Sequence, residues 1–271
     1  MVIDFHTHIF PDKIAASTIA ALSGKASIMP HTDGTEAGLL SALSSAGVDI
    51  AVNLPVLTGA RQFDSILRFG EAINQKSYTG PSIISFAGVH PDIEDAEAAL
   101  SEIKARGFLG IKIHPDYQGT FIDDERYVRL LSVAKRLDLI TVTHSGLDGA
   151  YVGEPIKCTP TRAMRLLDKL SGYEKMVFAH LGANEMYDEL YNILAGEDVY
   201  FDTAYSLRAA GREWFFKLLS KHSADKILFA TDSPWRNIKD ELELIRSYGL
   251  DSHTESKILS ENAISLLNLN K

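Results

Sequence analysis

Val2-Ile3-Asp4-Phe5-His6-Thr7-His8-Ile9-Phe10-Pro11 is an apolar run that ends in two histidines spaced two apart. Its length and content read as a buried strand. It lacks, at its end, the Gly-rich turn with which an open, doubly wound sheet grips a dinucleotide. Side chains alternate along a strand, so His6 and His8 point to the same side, and at a barrel mouth that side can be the interior. The segment therefore favours a closed barrel carrying its chemistry at strand ends.

The same unit recurs along the chain: a short β-branched run closing in polar residues, then an amphipathic stretch. The runs are Val2 to His8, Asp49 to Pro55, Ser82 to Val89, Leu109 to His114, Leu139 to His144, Met176 to His180, Val199 to Thr203 and Ile227 to Asp232. Most are apolar throughout, as parallel strands buried on both faces must be, and the gaps accommodate crossover helices. Helical patterns fill Asp123 to Leu137, Thr161 to Leu170 and Arg212 to Leu219, with Thr159 as N-cap before Pro160 at the first helical position. Eight βα units in 271 residues predict an α/β (β/α)8 TIM barrel, one domain over residues 1–271. The widest gap carries a Gly-, Ser- and Thr-bearing stretch from Ser23 to Gly34, which predicts extra structure over the mouth.

Charge narrows the partners. The net charge is −9 and the pI about 5.5, with no concentration of Lys and Arg, which excludes a nucleic-acid or anionic-membrane surface and leaves a small molecule. No run is long enough to span a bilayer, and the N-terminus has no basic start with an apolar stretch behind it. One cysteine, Cys158, fits a reducing compartment and reads as a loop bystander. The expectations are a cytoplasmic enzyme and, from base rates alone, a homodimer.

Of the 9 histidines, His6, His8, His90, His114, His144 and His180 stand at or just past strand ends. That is the face on which barrel enzymes assemble their sites. His144 closes Thr-Val-Thr-His, His180 closes Val-Phe-Ala-His, and Asp232 comes directly after Leu-Phe-Ala-Thr. Imidazoles and a carboxylate converging from four strands suit a catalytic divalent metal: zinc first, with manganese, iron or cobalt as alternatives. Asp232 has a rival role as a helix cap. Ser233 before Pro234 is the better N-cap, which leaves Asp232 for metal binding or proton transfer.

Asp4-Phe5-His6-Thr7-His8, the lone His144 and His180, and Ala230-Thr231-Asp232 together resemble the amidohydrolase superfamily. More narrowly, His8-Ile9-Phe10-Pro11, Gly110-Ile111-Lys112-Ile113-His114-Pro115, Phe178-Ala179-His180-Leu181-Gly182 and the closing Asn262-Ala263 resemble its amidohydrolase 2, aminocarboxymuconate-semialdehyde decarboxylase-like branch. The resemblance spans nearly the whole chain. It implies one metal among His6, His8, His144 and Asp232, with His180 as base or polarising group. In binuclear members a lysine at the place of Lys112 is carbamylated and bridges two ions, so Lys112, His180 and His114 are candidates for a second metal or for substrate.

The implied chemistry is hydrolysis of an amide, lactone or ester by a metal-activated water, with Asp232 and His180 handling the proton. The alternative is metal-dependent, non-oxidative decarboxylation, which needs a cationic clamp from Arg61, Arg208 or Arg236. A third reading is a metal-retaining barrel that binds without catalysing. Phe10, Tyr117, Gln118, Tyr151, Tyr205 and Trp235 also lie just after strands and are expected to line the substrate pocket together with Arg61 and Arg208.

Overall fold

The computed structural model describes residues 1–269 and places parallel strands and helices in alternation. The strands are β1 Ile3–Thr7, β2 Ile50–Asn53, β3 in two pieces, Ser82–Ser85 and Ala87–Gly88, β4 Gly110–Ile113, β5 Ile140–Thr143, β6 Met176–Phe178, β7 Tyr200–Asp202 and β8 Ile227–Leu228. The break in β3 falls at Phe86, whose amide still donates to Asn53 O at 2.9 Å. Neighbours pair in parallel from β1 through the first piece of β3, and from its second piece through β8. The ring is closed by Phe5 N–H donating to Phe229 O at 2.9 Å and Asp232 N–H donating to His6 O at 2.8 Å, with Thr7 bridged to Ser233. The TIM barrel read from the run pattern is the fold observed.

Two apolar layers hold it. Ile3, Phe5, Val52, Leu54, Phe86, Ile140, Val142, Val177, Leu228 and Ala230, drawn from strands all round the ring, form one buried cluster. Ala263, Leu266 and Leu267 of the terminal helix α11 (Asn262–Leu267) join it and cover one end. A larger cluster lies between strands and outer helices, where Leu130 and Leu131 of α5 (Glu125–Arg136) and Leu166 and Leu167 of α6 (Pro160–Leu170) are buried. Thr159 caps α6 as expected, its side chain accepting Arg162 N–H at 3.3 Å, with Pro160 in the first turn. The helix expected from Arg212 belongs to α8 (Leu207–Leu219), which is interrupted at Gly211, where φ is 75°. No helix among the described residues is long and apolar enough to cross a membrane.

The stretch from Ser23 to Gly34 splits between the end of α1 (Asp12–Ala26) and a turn. The turn is tied to the mouth: Phe10 N–H donates to Gly34 O at 2.8 Å and His31 N–H to Pro234 O at 2.7 Å.

One expectation fails. Ser233 is not an N-cap, because no helix opens at Pro234: the next one, α9 (Ile238–Ser247), starts four residues later and is capped by Asn237, which accepts from Lys239 and Asp240 N–H. Asp232 is free of a capping role because no helix begins beside it.

A histidine remote from the mouth gives a pH prediction. His222 stacks on Phe201 at 4.1 Å, accepts Gly196 N–H on Nδ1 at 3.2 Å, and has Nε2 buried without a partner. Burial pushes its pKa from 6.5 down to about 4. The unfolded chain then binds the extra proton first, so stability is lost as pH falls from 6.5 toward 4. Denaturant unfolding at pH 7 and pH 5 should show His222→Gln losing ~2 kcal/mol less than the parent over that interval. Equal losses in both proteins would refute the assignment.

Candidate metal centre and active site

β1 does more than supply two histidines. Its pairing with β2 carries an extra residue between Asp4 and Thr7, a bulge. Ile3 and Phe5 belong to the inner apolar cluster, so plain alternation would turn His6 away from it, and the bulge re-aims it. At the other side of the seam Asp232 adopts φ 69°, a left-handed conformation unusual for a non-glycine residue, held by its bond to His6 O. The consequence is a three-residue donor group. His8 Nε2 stands 3.1 Å and His6 Nε2 3.6 Å from Asp232 Oδ1. Ligand atoms ~2.1 Å from a tetrahedral ion are separated by about 3.4 Å, so this triangle fits a first-row divalent cation.

The ring orientations support that fit. A metal-binding imidazole needs one bare nitrogen, and the other is normally fixed by an acceptor. His6 Nδ1–H donates to Asp202 Oδ2 at 2.8 Å, and His8 Nδ1–H to Leu54 O at 2.8 Å. Both therefore present Nε2 lone pairs to Asp232. His180 is set the same way: its Nδ1–H donates to Ala204 O at 3.0 Å, leaving Nε2 as an acceptor. Burial, then the charge of Lys112, holds the His6 pKa well below 6.5, so its ring is neutral.

The other sequence candidates continue across the mouth as a row of rings. His6 and His180 lie 5.3 Å apart, His180 and His144 4.6 Å, and His144 stacks on His114 at 4.2 Å. His144 is not in the donor group of His6, His8 and Asp232; its Nδ1–H donates to His180 Nε2 at 2.9 Å. Gly146 helps set this approach. It has φ 85°, bridges to Asn184, and a Cβ there would lie 2.1 Å from Asn184 N. Lys112, fully buried, donates from Nζ to His6 Nε2 at 3.2 Å, and burial lowers its pKa to about 8. His90 is buried and faces Asp92 at 3.8 Å.

Among the pocket expectations, Tyr117 packs edge-on against His114 at 4.5 Å and against Tyr151 at 5.2 Å, with Lys25 of α1 3.6 Å above the Tyr151 ring. Trp235 is half-buried, its backbone N–H donating to Asp232 O at 2.8 Å, and Phe10 is half-buried beside the Gly34 turn. Tyr205 stacks under the Arg236 guanidinium at 3.8 Å. Gln118 is committed to structure, donating to Leu57 O and Val89 O. Arg208 pairs with Glu241 of α9 at 3.5 Å, and Arg61 is exposed with no ion-pair partner among the described residues. Cys158 is buried, and burial pushes its thiol up to about 12, an inert group.

Four aspartates escape sequence reasoning. Asp4 accepts Thr231 Oγ1–H at 2.5 Å and Thr231 N–H at 3.0 Å, clamping β1 to the segment that carries Asp232. Asp116 and Asp148 face His144 from the loops. Asp202, wholly buried, holds His6 through Oδ2 and accepts His180 N–H and Ala204 N–H on Oδ1. One carboxylate thus fixes both His6 and the turn bearing His180. The signal that could find it is its place at the end of the seventh run, where a carboxylate also reads as part of the strand. Asp202→Asn should weaken ion binding roughly 10–100-fold with the fold retained, as read by competition with a chelator. Unchanged affinity would deny it this positioning role.

No curated protein matches the chain. Among solved structures, a dihydroxybenzoic acid decarboxylase from Polaromonas sp., with bound manganese and the inhibitor 2-nitroresorcinol, is 17% identical with a TM-score of 0.71, covering 100% of this chain and 97% of its own. A 2,6-dihydroxybenzoate decarboxylase from Rhizobium is 18% identical with a TM-score of 0.69, covering 100% and 99%. A putative 2-pyrone-4,6-dicarboxylic acid hydrolase from Pseudomonas putida is 15% identical with a TM-score of 0.69, covering 100% and 98%. At these identities the likeness establishes the barrel. The family is established by sequence: the amidohydrolase family model matches residues 3–269, and the chain belongs to that family of enzymes.

Proposed function

We propose that this enzyme is a metal-dependent hydrolase of a small amide, lactone or ester, built as one catalytic domain. The observation that carries the reading is the donor triangle of His6, His8 and Asp232 beside an imidazole, His180, whose Nε2 is held unprotonated. His6 Nε2, His8 Nε2 and Asp232 Oδ1 would hold one divalent ion, zinc foremost, with the remaining positions open to water and substrate. His144, which the family resemblance implies as a fourth ligand, stands one ring away. When bound, the ion supplies Lewis acidity toward a carbonyl and an acidified water.

The chain's own groups handle the protons. Asp232 Oδ2, engaged by no hydrogen bond among the described residues, accepts the proton of the attacking water and returns it to the leaving group. His180 Nε2 shares the base role once it exchanges the His144 Nδ1–H bond for the attacking water, and then, protonated, donates to the developing oxyanion, with Ala204 O keeping the ring in place. Decarboxylation is the runner-up. The mouth disfavours it: Asp116, Asp148 and Asp232 face the imidazole row, whereas Arg208 is turned to Glu241, leaving Arg236, stacked on Tyr205, and the exposed Arg61 as the remaining candidates for a clamp.

A second reading of the metal count has one observation behind it. Lys112 Nζ, buried 3.2 Å from His6 Nε2, is placed for carbamylation, which would bring His144 Nδ1 and His180 Nε2 onto a second ion.

The test is turnover by zinc- or manganese-loaded and metal-stripped protein on panels of lactones, esters, amides and hydroxylated aromatic carboxylates, with acid and carbon dioxide release measured separately. Metal-dependent acid release from a lactone, ester or amide supports hydrolysis. Carbon dioxide release from the carboxylates without acid release from the others would replace it with the runner-up.

A further inference from the structure

Beyond the donor triangle, polar atoms converge on one another at the far end of the imidazole row. His144 Nε2 and Asp116 Oδ2 are both buried without a hydrogen-bond partner and lie 3.9 Å apart, on residues 6% and 5% exposed. Asp148 Oδ2 is 4.0 Å from the same His144 Nε2 and 3.3 Å from His114 Nε2. A buried Asp116 oxygen and a half-buried Asp148 oxygen opposite a bare imidazole nitrogen repel one another unless a positive charge joins them.

The bareness of that nitrogen results from the hydrogen-bond order along the row. Ala204 O fixes the proton of His180 on Nδ1, so His180 Nε2 must accept from His144 Nδ1, and the neutral His144 ring has no proton left for Nε2. The carboxylates are prepared in the same manner. Asp116 uses Oδ1 to accept Lys157 N–H at 3.2 Å, and Asp148 uses Oδ1 to accept Ala150 N–H at 2.7 Å. In both residues Oδ2 faces the niche. His144 and the two carboxylates are thus each held by their other atom, the arrangement that orients metal ligands.

From this convergence we infer that His114, His144 and Asp148, whose ligand atoms lie within 4.8 Å of one another, form a second divalent-cation site with Asp116 adjoining at His144, separate from the triangle of His6, His8 and Asp232. Separations of 3.3, 3.9 and 4.0 Å between the donor atoms bracket the roughly 3.4 Å expected around a tetrahedral ion, with slight contraction on loading. Two imidazoles and two carboxylates suit zinc or manganese, and the two negative charges match the ion's own. Ligation through His114 Nε2 costs one long contact, the 3.4 Å approach of Tyr117 N–H to His114 Nδ1. Tyr117, Tyr151 and Lys25 cover this side of the mouth, so the ion would brace the loops after β4 and β5 against each other.

The experiment is zinc content per chain after equilibrium dialysis, on folded protein checked by circular dichroism. The parent should hold two equivalents. A His8→Ala/Asp232→Asn protein should keep one, and that one should vanish when Asp148→Asn or Asp116→Asn is added. His180→Ala in the same background should retain it, because His180 is no ligand of this site. X-ray absorption of the His8→Ala/Asp232→Asn protein loaded with one zinc should show a shell of nitrogen and oxygen donors. An ion lost with His180→Ala but kept with Asp148→Asn and Asp116→Asn would place it between His144 and His180 and overturn the inference. A parent with a single equivalent, removed by His8→Ala/Asp232→Asn, would also overturn it while leaving the first centre intact. A parent whose ion ignores His8→Ala/Asp232→Asn but is lost with Asp148→Asn would fail the first centre alone.

Discussion

Asp232→Asn should reduce turnover about 10⁴-fold and weaken ion binding at the triangle together, since in the proposed mechanism one side chain supplies a ligand oxygen and the proton acceptor. Such a loss corresponds to ~5 kcal/mol of transition-state stabilisation. The amide is nearly isosteric and the backbone N–H at position 232 would still donate to His6 O, so the local backbone should survive. Turnover measured at saturating metal separates the two losses. Excess zinc restores whatever part is affinity, and the part that stays lost reports the proton role. A variant fully rescued by metal would reduce Asp232 to a ligand and pass the base role to His180.

His180→Gln makes the complementary case. Its Nε2 lies beside the triangle without being one of its three donor atoms. Turnover should therefore fall ~10²–10³-fold while ion affinity at His6, His8 and Asp232 stays within a few-fold of the parent. Metal titration and kinetics on the same preparation read the split. A parallel collapse of ion binding would make His180 a ligand and favour the two-ion arrangement built around Lys112.

Much of the barrel and its mouth is legible in the sequence because each signal is local. A β-branched run with a histidine at its end shows a strand and its chemical end at once, which is why His6, His8, His144, His180 and Asp232 stand out together. The bulge in β1 is not legible, because it depends on pairing with β2; the parity of His6 and His8 points to the right mouth without the extra residue that makes it work. Ser233 looks like a cap because Ser-Pro is the same dipeptide whether it opens a helix or continues a loop, and here the helix waits for Asn237. The supporting aspartates are invisible for a related reason. Asp202 is 196 positions from the His6 it orients, and Asp116 and Asp148 acquire meaning only when two loops bring their free oxygens to His144. Arg208 shows the reverse error: a cation after a strand suggests a carboxylate clamp, but Glu241 on the neighbouring helix takes it.

In the proposed site a divalent ion binds where β1 and β8 meet. Anomalous diffraction at the zinc edge from crystals of the zinc-loaded protein tests it most directly. A peak is expected within about 2.3 Å of His6 Nε2, His8 Nε2 and Asp232 Oδ1. A zinc-loaded, active enzyme with no anomalous density at those three atoms would contradict it.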